Sequence, residues 1–167
     1  MIPIVIMGVA GCGKSSLAAA VARAHALPWV EGDDHHGEHN RKKMQRGIAL
    51  TDADREGWLD TLGTLLTQYE RGVVMSCSAL KRAYRARLRQ AAPDVRFVFL
   101  EIPPAQALER VAARPEHFFS TSLVDNQFAT LESPVGERGV LRLDALTPLS
   151  SLVNAVNEWL NREQETV

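Results

Sequence analysis

Residues 4–16 read IVIMGVAGCGKSS, and their order decides the fold. The apolar run that opens them, taken from residue 2 to residue 7, has the look of a strand buried on both faces, with Pro3 tolerable because it sits at the start. Gly8-Val9-Ala10-Gly11-Cys12-Gly13-Lys14-Ser15 then satisfies G-x-x-x-x-G-K-[ST] in full. Leu17, Ala18, Val21 and Ala22 follow as one helical stripe. A buried strand, a glycine turn and an amphipathic helix in that order is the context in which this motif binds phosphate. The glycines let successive backbone N–H groups point inward, and the helix N-terminus adds positive potential. Gly8 to Ser15, with Ser16 beside them, form the expected nucleotide cradle. Lys14 reaches the outer phosphates and the Ser15 hydroxyl suits Mg²⁺. Cys12 reads as a small space-filler and Cys77, at a strand end, as core.

Outward from this loop, apolar runs alternate with helical patterns. Strands are expected at 27–30, 73–77, 97–102 and 140–143. Thr51-Asp52-Ala53-Asp54 has the form of a capping box opening a helix to about Tyr69. Further helices are expected near 80–90, from Pro104 with a Leu108/Val111 stripe, and from Leu149 to the C-terminus. Trp29, Trp58 and Trp159 read as core. The alternation implies an α/β fold with a parallel sheet covered on both faces, whose ligands bind at the carboxyl ends of the strands.

The 167 residues, 46% hydrophobic with a net charge of −1, suit one domain and give no bulk attraction to nucleic acid or membrane. Two cysteines without C-x-x-C spacing suit a reduced compartment, and neither a signal peptide nor a membrane span is legible. A cytoplasmic location is expected. Basic residues crowd 41–46 and 81–89, which suggests a small anionic ligand.

A phosphate loop alone does not separate a switch from a transferase. N-K-x-D is absent, D-x-x-G occurs only inside the expected helix at 54–57 and 60–63, and strand three ends without an acid. Asp33, 19 residues beyond Lys14, stands where strand two should return beside the loop. A carboxylate there can take a proton from a substrate hydroxyl or hold a water of the Mg²⁺ shell. Lys81/Arg85 and Arg110/Arg114 are i,i+4 cation pairs at strand ends, placed to meet a second substrate and the transferred phosphoryl group. His35 and His39 are four apart, but no third ligand has the spacing zinc needs.

MGVAGCGKSS at 7–16, EGDDHHGEHNRKKM at 31–44, G-x-x-L-T-D-x-D-R-x-x-W-L at 47–59, CSALKRAYRARLR at 77–89, and R-x-x-H-F at 114–118 followed by NQFATLESP at 126–134 resemble the small gluconate kinases of the nucleoside-monophosphate-kinase-like group. Gly37, Asn126 and Glu31 depart from residues common in that family. The resemblance implies a three-layer fold with a five-stranded sheet in order 2-3-1-4-5, a lid at about 114–134, and a homodimer. It also implies phosphorylation of D-gluconate by ATP with Mg²⁺. On this reading Lys14, Arg110 and Arg114 neutralise the transferred group, and Asp33 orients and deprotonates the sugar-acid hydroxyl. Mg²⁺ is held by Ser15 and Asp33. Arg55, Lys81 and Arg85 are candidates for the carboxylate clamp, while His36, His39, Asn40 and His117 are candidates for reading hydroxyls. The segment 144–148 is the expected adenine neighbour. A kinase for shikimate, a nucleotide or another sugar acid, or a non-catalytic ATP-binding module, are the competing expectations.

Overall fold

The computed structural model describes residues 2–114 and 121–166. Five strands, β1 (Ile4–Met7), β2 (Trp29–Glu31), β3 (Val74–Ser76), β4 (Arg96–Glu101) and β5 (Val140–Asp144), form one sheet in the order β2-β3-β1-β4-β5. Every neighbouring pair is parallel. The helices are α1 (Lys14–Ala24), α2 (Glu38–Gln45), α3 (Asp52–Gln68), α4 (Arg82–Ala91), α5 (Pro104–Ala112), α6 (Ser122–Thr130) and α7 (Leu149–Glu165), with a 3-10 turn at Gly32–His35.

Period-two alternation along β1 builds two cores at once. Ile4 and Ile6 face Leu17, Val21, Val156 and Trp159 from α1 and α7. Val5 and Met7 face Trp58, Leu62, Leu66 and Leu88 from α3 and α4. Helices therefore cover both faces, as the expected doubly covered sheet requires.

Several expectations need correction. Strand two begins at Trp29 rather than residue 27 and runs through Glu31, which carries that carboxylate to the strand's end. Trp29 is 44% exposed and not core. It lies on an edge strand, where only Val30 turns inward, and its indole N–H reaches across to the Ser76 hydroxyl at 3.3 Å. Leu108 is also exposed, because α5 buries Ala107 and Val111. Arg114 lies beyond the last residue of α5, so it and Arg110 do not form a helical pair. Helices α2 and α6 had no counterpart in the sequence reading. The Thr51 capping box is present with both of its hydrogen bonds.

Candidate active site

Helix α1 opens with Gly13 in the left-handed conformation and no side-chain cap, leaving its first backbone N–H groups aimed along the loop. Gly11 has φ +83°, and a Cβ there would lie 2.7 Å from the Ala107 carbonyl oxygen. Only glycine lets the turn pass that close to α5. The Lys14 ammonium folds back to donate to the Val9 carbonyl at 3.1 Å, a contact that an anion in the cradle would replace. Cys12 is buried against Gly8, as a space-filler should be, and burial raises its thiol pKa despite Lys14 and Arg110 nearby.

Gly32 solves a second close approach. A Cβ on it would sit 2.5 Å from the Ser76 carbonyl oxygen, so β2 can end hard against β3 only with glycine there. Its carbonyl accepts from the Trp58 indole at 2.8 Å. These contacts fix the turn that delivers the half-buried Asp33 to a cleft also lined by Gly13, Lys14, Ser15, His36, Arg55, Trp58 and Arg114. Asp33 and the phosphate loop line one cleft.

Beside it, Ser15 donates its hydroxyl to Glu31, and Glu31 accepts a second hydrogen bond from Ser76 at 2.8 Å. Strand β3 supplies no acid, but its neighbour does, since Glu31 is the register partner of Ser76. The sequence reading treated Glu31 only as a departure at the head of the E-G-D motif. Ser15, Glu31 and Asp33 present oxygen donors only, the hard set that Mg²⁺ takes. No cluster of three metal-binding side chains exists among the described residues. Mg²⁺ on a nucleotide needs only one or two protein carboxylates, with phosphates and water completing its shell, so the donor set fits.

His36 is buried and stacks on Trp58, with ring centroids 4.2 Å apart. Burial, and then the guanidinium groups of Arg55 and Arg41, lower its pKa to about 4, so the ring is neutral at physiological pH. Asn40 donates one amide proton to the Asp54 carbonyl at 2.9 Å and the other to His36 Nδ1 at 3.1 Å. Nε2 therefore carries the imidazole proton and faces Asp33, 3.7 Å away.

A family model described as an AAA domain matches residues 4–134. A gluconokinase of Gluconobacter oxydans is 38% identical over 143 residues, covering 84% of this chain and 80% of its own. The thermoresistant gluconokinase of Escherichia coli is 36% identical and covers 95% of this chain and 93% of its own. The chain belongs to the gluconokinase family. A crystallised gluconokinase from Sinorhizobium meliloti superposes with a TM-score of 0.90 at 43% identity, covering 99% of this chain and 94% of that one. A shikimate kinase from Aquifex aeolicus, at 15% identity and a TM-score of 0.62, shares the fold.

Within this gluconokinase framework some expected site residues lie elsewhere. Arg110 sits on the far flank of the phosphate loop, donating to the Gly11 carbonyl at 3.2 Å and the Ala145 carbonyl at 3.4 Å. It lines a second cleft with Gly13, Ala145, Thr147 and Leu149 and does not line the first. Arg114 lines both clefts.

Arg85 cannot be the substrate clamp. It is fully buried and bound to both Glu137 oxygens and to the carbonyls of Ala79, Leu80 and Glu132. Lys81 is paired to Asp52 at 2.9 Å on the rim. Asn40 supports His36 from behind and does not line the cleft, while His39 is exposed and bonded to Asp54. Within the basic run at 41–46, Lys42 and Lys43 are paired with Glu38 and Asp54, and Arg41 bonds to the His36 and Asp34 carbonyls; none of the three lines the cleft. His117 lies outside the described residues. Helix α6 adds residues the sequence reading missed: Leu123, Asn126 and Gln127 line the first cleft, and Gln127 Oε1 accepts from the Ala10 N–H at 2.7 Å. The signal for Asn126 and Gln127 was the NQFATLESP motif, read only as part of the expected lid.

Proposed function

We propose that this gluconokinase-family protein transfers the terminal phosphoryl group of ATP to the terminal hydroxyl of D-gluconate, giving 6-phospho-D-gluconate and ADP. The observation that carries the reading is the shared cleft, in which Asp33 and the Lys14–Ser15 end of the phosphate loop line one space. The loop amides and Lys14 hold the phosphates, and Ser15, bonded to Glu31 behind it and sharing the cleft with Asp33, is placed to hold Mg²⁺. When bound, that ion supplies neutralisation of the phosphate charge. Asp33 orients the attacking hydroxyl and takes its proton as the new O–P bond forms and the bond to the leaving diphosphate breaks. Lys14 and Arg114 stabilise the charge that spreads over the transferred group. Arg110, beside Ala145 and Thr147, belongs to the part of the nucleotide site that holds the base end.

Three cations line the first cleft among the described residues: Lys14, Arg55 and Arg114. Lys14 belongs to the phosphate loop and Arg114 to the junction of the two clefts. Arg55 stands among Met44, Ile48, Ala49 and Leu50 and is the clamp for the gluconate carboxylate. His36 Nε2–H reads a hydroxyl next to Asp33. The described part of the expected lid meets this cleft through Arg114, Leu123, Asn126 and Gln127, and the protein acts as a cytoplasmic homodimer. Two buried free cysteines are in keeping with a reducing compartment.

The test is an ADP-release assay with gluconate, shikimate, AMP and free sugars as acceptors, run on wild type and Asp33→Asn. Turnover with gluconate, abolished in the variant while nucleotide binding persists, is expected. Turnover with another acceptor in preference to gluconate, or full activity of the variant, overturns the assignment of substrate or of base respectively.

A further inference from the structure

Arg55 is held in an unusual way for a buried arginine. It is 9% exposed, yet among the described residues its hydrogen bonds are to neutral oxygens, with Nη1 donating to the Leu50 carbonyl at 2.8 Å and the Tyr84 phenol at 3.2 Å. The negative charge in this region sits one step further out. Tyr84 passes its own hydroxyl proton into a hydrogen bond to Asp52, and Asp52 takes a second bond from the Lys81 ammonium at 2.9 Å. The Arg55 guanidinium lies 5.3 Å and the Lys81 ammonium 5.7 Å from the Tyr84 ring centroid. Tyr84 itself is buried on α4, while Asp52 is exposed at the first turn of α3.

A carboxylate bonded directly to Arg55 would orient it and also cancel its charge. A phenol orients it without cancelling anything. With Lys81 balancing Asp52, the guanidinium enters the cleft as a fixed cation still available to an anion.

We propose that Tyr84, backed by Asp52 and Lys81, is the positioning residue for the carboxylate clamp: it aims Arg55 at the carboxylate of an acyclic sugar acid and so sets the preference for an anionic acceptor over a neutral polyol. The inference rests on the reading of Arg55 as the clamp. It gives the Lys81 and Tyr84 positions of the CSALKRAYRARLR block a role at the substrate end, although neither side chain lines the cleft.

Tyr84→Phe keeps the ring and its packing and removes only the hydroxyl. It should lower kcat/KM for gluconate by about tenfold, the scale of one hydrogen bond to a charged group. The loss should appear in the gluconate KM, with kcat and the KM for ATP unchanged. Asp52→Asn, from the exposed rim, should act in the same direction and guards against a Tyr84 variant that fails to fold. A purely structural role would lower the unfolding midpoint and leave the gluconate KM alone. The deciding comparison is the double variant with Arg55→Ala. Where the clamp is absent, removing the Tyr84 hydroxyl should cost nothing further. An equal loss in both backgrounds, or none in wild type, overturns the positioning role while leaving the clamp intact. If Arg55→Ala alone spares the gluconate KM, the clamp itself is refuted, and the role of Tyr84 with it.

Discussion

Single residues at this site act through contacts that the motifs do not spell out. Glu31 accepts from Ser15 and Ser76 at once, so its carboxylate is fixed where a cation on the phosphates would need support. Groups that orient a metal ligand commonly matter by about 10–100-fold in metal affinity or activity. Glu31→Gln should therefore raise the Mg²⁺ concentration for half-maximal rate on that scale while the gluconate KM holds. Titrating Mg²⁺ against rate decides it, and an unchanged Mg²⁺ curve would show Glu31 to be a strand-end brace only. The sequence displayed both carboxylates of the E-G-D motif but could not rank them. That depended on Gly32 closing against the Ser76 carbonyl, a long-range contact that turns Glu31 to Ser15 and leaves Asp33 in the open cleft.

At the scale of elements, a buried ion network joins α4 to the chain that follows α6. Arg85 binds both Glu137 oxygens and three backbone carbonyls, and Arg89 adds a further bond to Glu137 at 2.9 Å. Burial works to raise the Glu137 pKa, but the two guanidinium groups outweigh it and the net shift is downward. Removing one partner strands the other charge and orphans the carbonyls, at a cost of about 3–5 kcal/mol. Arg85→Ala should lose that much in urea unfolding, with Arg87→Ala, on the exposed side of α4, as the near-neutral control. A loss below about 1 kcal/mol would mean that Glu137 is solvated after all. The i,i+4 spacing of Lys81 and Arg85 suggested two cations facing one ligand. Helix α4 instead turns Arg85 into the protein toward the 132–137 segment, while Lys81, at the N-cap before the helix, pairs with Asp52.

Across the whole molecule, stability should fall in acid through His36. The unfolded ring titrates near 6.5 and the folded one near 4, so between those values the unfolded chain binds a proton that the folded chain refuses. Stability is therefore fully present above pH 6.5 and declines as the pH falls, by up to about 3 kcal/mol at the lower end. The groups facing the ring are Asp33, Arg41, Arg55 and the Asn40 amide, with Trp58 stacked beneath. Unfolding measured at several pH values on wild type and His36→Asn should show the slope in the first and its loss in the second. Parallel profiles would show that the ring is not held neutral.

The sequence alone makes legible the parallel sheet, the phosphate loop and the acid that follows strand two. Those rest on local signals, namely apolar runs of strand length, glycines at fixed spacing and a helix cap, each readable within one short window. Its motifs also carried the family resemblance in the right order along the chain. Tertiary structure alone decided which of the many arginines and lysines remain available for an anion. Arg85, Lys81 and Lys43 look like Arg55 in sequence, yet each is paired with a carboxylate brought from elsewhere in the fold. The charge of a side chain is local, but its availability depends on every partner that folding brings within reach.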